Sequence, residues 1–294
     1  MLSLCQGLVV ALPRSWSPAW TARLHSRLWA LVPALSIVGF VAVGSLAEEA
    51  SAQALTYVAL VAVPLLAALA LGWLMHGARS GLALLVAPLF VLAWADRGAL
   101  VGQGAGVLLS ALSCVALGAL IAGVTPARWL AVGIVAMACA DTALVVSSLL
   151  QAPNNALNAA HPVGGLPRLQ AEVFGSAVMG YGDLFVAGVL GGLLACLPAR
   201  APRVVPDRVT PGMESANTGT AATGRSRQST GAVLVALLAV AFDLLFFVID
   251  ELPATVPVAS ALVVLVGLSR RQRFRPVEAR PQQKVPAARA PAPR

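Results

Sequence analysis

Two aspartates are the residues whose type and setting most directly suggest chemistry. Asp141 lies in WLAVGIVAMACADTALVV and Asp183 in VMGYGDLFVAGVLGG, each a lone acid inside a long apolar run. An ionisable side chain at the depth of a bilayer is costly, so a carboxylate kept there is a functional candidate by default. Two carboxyl groups at contact distance cannot both ionise cheaply; one holds a proton, the other is charged, and the pair titrates as a unit. One oxygen of such a dyad can deprotonate a water while another polarises a carbonyl, so an amide bond can be hydrolysed with no metal or cofactor. A single intramembrane aspartate serves equally well in a proton or cation pathway, or in a hydrogen bond between helices. On the two aspartates alone, hydrolysis, transport and structural pairing all remain open.

The elements that must position these residues follow from composition. The chain of 294 residues is 59% hydrophobic and 11% charged, and its apolar residues come in blocks of about twenty, the length that crosses a hydrocarbon core as a helix. An all-α polytopic transmembrane helical bundle is expected. Eight spans can be drawn, at 28–47, 54–75, 80–95, 99–124, 129–150, 173–197, 231–249 and 253–269. Residues 2–12 are too short to cross as a helix and read as an interfacial segment or a reduced further span, which would make nine. No small-residue cleavage pattern precedes Arg14–Arg27, so a cleaved signal peptide is not expected.

This divides the chain into an N-terminal cytoplasmic or interfacial segment (1–27), a four-span bundle (28–124), a catalytic membrane region (129–269) and a cytoplasmic tail (270–294). Residues 199–230, rich in Pro, Gly, Ser, Thr and Arg without hydrophobic periodicity, read as a disordered cytoplasmic loop, and the Pro/Ala-rich tail reads the same way. Cys5, Cys114, Cys139 and Cys196 lack ligand spacing, and the last three are expected as small buried hydrophobes within spans.

The net charge of +8 raises the question of nucleic acid. The arginines sit between and beyond the apolar blocks, where they meet anionic headgroups and set orientation, so membrane lipids and not nucleic acid are the expected partners. Arg14, Arg23 and Arg27 precede the first span; Arg79 follows the second, Arg128 the fourth, Arg200 to Arg227 the sixth, and Arg270 to Arg275 the eighth. Every second connection is basic, which places both termini in the cytoplasm and the connection between the aspartate-bearing spans outside. The arginine-rich, alanine-rich usage suggests a bacterial plasma membrane protein.

These limits place Asp141 ten residues before its helix meets the outer face and Asp183 ten residues after the next helix re-enters. At 1.5 Å per residue both carboxyls are expected about 15 Å below one surface, on adjacent antiparallel helices. Ala138 and Ala140 flank Asp141, and Gly180 and Gly182 flank Asp183, so the backbones can approach closely.

Gly180-Tyr181-Gly182-Asp183 fits the GxGD signature, and the chain resembles the presenilin and signal peptide peptidase family of intramembrane aspartyl proteases. The resemblance covers about 129–269: an aspartate, then GxGD on the next span, one intervening span, and a Pro-Ala motif opening the last. Ala140 stands where the family carries Tyr before its first aspartate, and Thr255 stands where Pro253-Ala254 would be followed by Leu. The resemblance implies that Asp141 and Asp183 are catalytic. It also implies that Gly180, Tyr181, Gly182, Pro253, Ala254 and Thr255 shape the substrate-binding edge, and that the substrates are transmembrane or signal-peptide-like helices. The outward loop and inward C-terminus look like the signal peptide peptidase arrangement, which implies substrates entering with their N-terminus cytoplasmic. Type IV prepilin peptidases, which also pair aspartates with a GxGD segment, are a second resemblance.

Independently of any family, Pro253 and Pro257 lack amide donors, so an irregular or extended start of the last span is expected, able to hold an unwound substrate by strand-like pairing. A proline at a helix start also explains them without function. Asp243 is a candidate for a water path or a structural hydrogen bond. Asn154, Asn155, Asn158 and His161 are expected in turns, and Glu172 as a dipole partner at a helix entrance. Gly102 to Gly106, and Gly188 with Gly192, are expected to pack against neighbouring helices.

Overall fold

The computed structural model describes residues 2–16, 18, 21–175, 177–197, 218–245, 253 and 255–271. Its helices are α1 (Leu2–Ala11), α2 (Thr21–Leu24), α3 (Val32–Leu46), α4 (Glu48–Leu69), α5 (Val86–Ala95), α6 (Leu100–Val124), α7 (Ala127–Val146) and α8 (Gln151–Ala159). A hairpin of β1 (Ala171–Phe174) and β2 (Ala177–Gly180) follows, then α9 (Tyr181–Cys196), α10 (Thr218–Leu245) and α11 (Val256–Arg271). Among the described residues, five helices are long and apolar enough to cross a membrane, and three shorter apolar ones lie among them. The protein is a helical bundle of membrane type.

The bundle is built around α6. Of its apolar window 72% is buried, against 17–33% for the other four long helices, whose outward faces carry exposed Leu, Val and Trp. An apolar face left open is what lipid would cover. α9 lies against α6 through glycine. A Cβ on Gly118 would overlap the backbone of Gly188, and one on Gly188 or Gly192 would overlap the carbonyl of Cys114 or Gly118. The expected small-residue face of α9 is therefore the contact that brings two backbones together. Gly102 likewise has no room for a side chain beside the Asp96 carbonyl, while Gln103 leaves the helix surface to accept the Gly175 amide at 2.7 Å.

α1 is packed within the bundle against α9 and α10, with Val9 and Val10 fully buried. Gln228 of α10 ties it down by donating to the carbonyls of Val10 (3.1 Å) and Pro13 (2.7 Å). Several expectations are corrected. Residues 218–230, expected as disordered loop, form the first part of α10; 199–217 and the 276–294 tail lie outside the described residues. Asn154, Asn155 and Asn158 sit on the exposed side of α8 and not in turns, with Pro153 packed against Gly44 on the opposite side. Cys139 faces outward, whereas Cys114 is buried.

The correction that matters most concerns the entry to α9. Residues 173, 174 and 177–180, expected as the start of a span, are strand: Ala171 pairs with Gly180, Glu172 with Met179, Val173 with Val178 and Phe174 with Ala177, antiparallel. The β-branched and aromatic residues of Glu-Val-Phe and Ala-Val-Met alternate around Gly175, whose φ of 64° closes the turn; glycine reaches that region without strain. Among the described residues the bundle is thus helical except for one hairpin, held along α6.

Candidate active site

Asp183 enters at the top of α9 and not ten residues down a helix. Gly180 is extended (φ −73°, ψ 142°) and caps the helix, so Tyr181, Gly182 and Asp183 are its first three residues. The carboxyl of the third residue reaches back toward the Gly180 amide, the return half of a capping box. This fixes the side chain close to its own backbone. Gly182 is exposed, and a Cβ there would meet nothing within 4 Å, so one approach to Asp183 stays open.

Tyr181 has turned the other way. Its hydroxyl lies 2.7 Å from Ser113 Oγ, which itself donates to the Ser110 carbonyl at 2.7 Å; Tyr181 therefore donates to Ser113. Its ring is partly buried against α6, and its bond fastens the start of α9 there.

Asp141 is buried in α7, 7% exposed. α7 and α9 are in contact, and α11 touches both. The carboxyls of Asp141 and Asp183 are near enough to interact electrostatically. The structure thus brings the two aspartates into one region, although the helix geometry that suggested it differs. From the turn just before α11, Thr255 Oγ1 donates to Asp141 Oδ2 at 2.5 Å, and the Thr255 amide faces the same carboxyl. Thr255 is 1% exposed. A donor at this distance from a carboxylate is charge-assisted and strong.

Pro253 lies in irregular backbone, its carbonyl accepting from the Val256 amide at 3.2 Å. Pro257 is buried in the first turn of α11, where a missing amide costs nothing. Ala254 lies outside the described residues. Asp243 is exposed on α10.

Sequence reasoning missed Glu172. Expected as a dipole partner at a helix entrance, it is 1% exposed in β1, and neither carboxylate oxygen has a hydrogen-bond partner. The signal that could have found it was the hairpin: two short β-prone runs about a Gly-Ser pair, which turn Glu172 into α6. A separate cavity of about 310 Å³, lined by Ser15, Trp16, His25, Thr125 and Cys196 among others, lies where α6 and α9 end and α7 begins, and contains neither aspartate. Comparison with protein-family models, with curated proteins and with solved structures finds no match for this chain.

Proposed function

We propose that the chain is an intramembrane aspartyl protease that hydrolyses peptide bonds of transmembrane or signal-peptide-like helices with Asp141 and Asp183 as its dyad. The observation that carries the reading is the convergence on Asp141 of Asp183 from α9 and Thr255 from the turn just before α11. In sequence these are an isolated acid, a GxGD segment and a Pro-Ala-Thr segment.

The division of labour follows from the donors. Asp141, holding a hydroxyl on Oδ2, is the acceptor that activates water. Asp183 carries the shared proton toward the scissile carbonyl. Substrate must be extended to expose that carbonyl, because a helix hides its amides in internal hydrogen bonds. β2 has no second partner strand among the described residues, and it leads directly into Gly180 and Asp183. Its free edge, with the irregular backbone at Pro253, supports strand-like pairing of an unwound substrate.

The proposed protein has about eight crossings of a bacterial plasma membrane, both termini cytoplasmic, and substrates entering with a cytoplasmic N-terminus. A second reading, proton- or cation-coupled transport, is favoured by one observation: Glu172 adds a further buried carboxyl near Asp183. Reconstituted in liposomes with a transmembrane reporter peptide, the full chain is expected to cleave it, and Asp141→Ala and Asp183→Ala to leave it intact. Proton flux without cleavage would replace the protease reading by the transport one.

A further inference from the structure

Glu172 is a buried acid that the dyad scheme leaves unused. It lies outside the spanning helices, in β1, its backbone paired with Met179. Ser110 and Cys114 of α6, Tyr181 and Asp183 of α9, and Cys5 of α1 are the polar and titratable groups around it. None of these is basic. The Ser110 hydroxyl faces the carboxyl without hydrogen-bond geometry, and both oxygens stay unpartnered.

A carboxylate sealed from water with neither counter-ion nor donor is among the most expensive groups a protein can bury. Neutralisation by a proton removes most of that cost. We propose that Glu172 is a third, proton-holding carboxyl beside the site, coupled through space to Asp183, so that it stays neutral while the dyad holds its shared proton and gives up its own only afterwards. Burial first, and the neighbouring Asp183 second, push the Glu172 carboxyl up to about 8. Its proton leaves to solvent as pH rises; none passes to Asp183. The charge that Asp183 takes on when the dyad loses its shared proton opposes ionisation of Glu172, so three charges do not accumulate here until the pH passes the Glu172 midpoint.

The coupling itself is independent of what the dyad does; only the cleavage arm of its test rests on the protease reading. Infrared difference spectroscopy of the full chain in liposomes follows the protonated carboxyl band with pH, and Glu172→Gln identifies it by its loss. The expected midpoint lies near 8, and Asp183→Asn is expected to lower it by about half a unit or more, because the adjacent charge is gone. A midpoint in the ordinary carboxylate range, or one that Asp183→Asn leaves unmoved, overturns the proposal even if cleavage still depends on both aspartates. In the cleavage assay Glu172→Gln, which copies the neutral acid, is expected to leave the alkaline limb at the pH of the unaltered chain, and a limb displaced by about half a unit or more also overturns it. A shifted midpoint in a chain that cleaves nothing supports the coupling and rejects the protease reading.

Discussion

A hydroxyl held on one oxygen of Asp141 does two things at once: it satisfies part of a buried acid and it fixes which oxygen is free to meet water. Removing it tests both. Thr255→Val keeps the shape of the side chain and deletes the donor; losing a hydrogen bond to a charged group costs about 1.5–3 kcal/mol. With a donor acting on the reacting carboxyl, kcat for reporter cleavage is expected to fall about 10- to 100-fold with KM little changed, and Thr255→Ser is expected to recover most of it. A fall in KM-dependent binding with kcat intact would mean that Thr255 touches substrate instead. Glu172 gives a stability prediction of definite sign. Its folded pKa, about 8, is above the ordinary 4.5, so the folded state binds the proton more tightly. Stability is then expected to fall as pH rises from 4.5 to 8, and Glu172→Gln to flatten that slope, measured by thermal unfolding in detergent. At this scale Asp141 and Asp183 were legible because lone acids stand out in apolar sequence. Thr255 was legible as a position and not as a partner, since no spacing rule joins residues 114 apart in sequence.

The glycines of α6 and α9 decide how closely those elements approach, and through α9 where Asp183 sits. Gly188→Val would drive two methyl groups into the Cys114 carbonyl, and overpacking of this kind costs about 1–3 kcal/mol. A lower unfolding temperature and loss of cleavage are expected together, whereas Gly182→Ala, which meets open space, is expected to leave the fold unchanged. The α6–α9 contact could be read from Gly188 and Gly192, because small residues four apart form one face of a helix. The hairpin could not be read by hydropathy. Val173, Phe174, Val178 and Met179 suit a buried strand as well as a membrane helix, and the helix was therefore drawn eight residues too early, at 173 and not at Tyr181. The asparagines of α8 misled for the opposite reason: their turn preference yielded to a helix that buries Pro153.

For the whole molecule, apolar block length was enough to show a helical membrane bundle, and the central place of α6 was not, since burial depends on neighbours that hydropathy does not name. The alternation of basic connections carries the topology. Reporter fusions at residues 25, 76 and 270 are expected on the cytoplasmic side and one at residue 160 outside; a residue 160 fusion in the cytoplasm would invert the orientation and the implied substrate direction. The central claim, that Asp141 and Asp183 act as one unit, is tested most directly by a double-mutant cycle on cleavage of a transmembrane reporter in liposomes. Groups that share one proton fail together. Asp141→Asn and Asp183→Asn are each expected to abolish cleavage, with the double variant no worse than either. Measurable cleavage in either single variant, reduced further and additively in the double, would contradict the account.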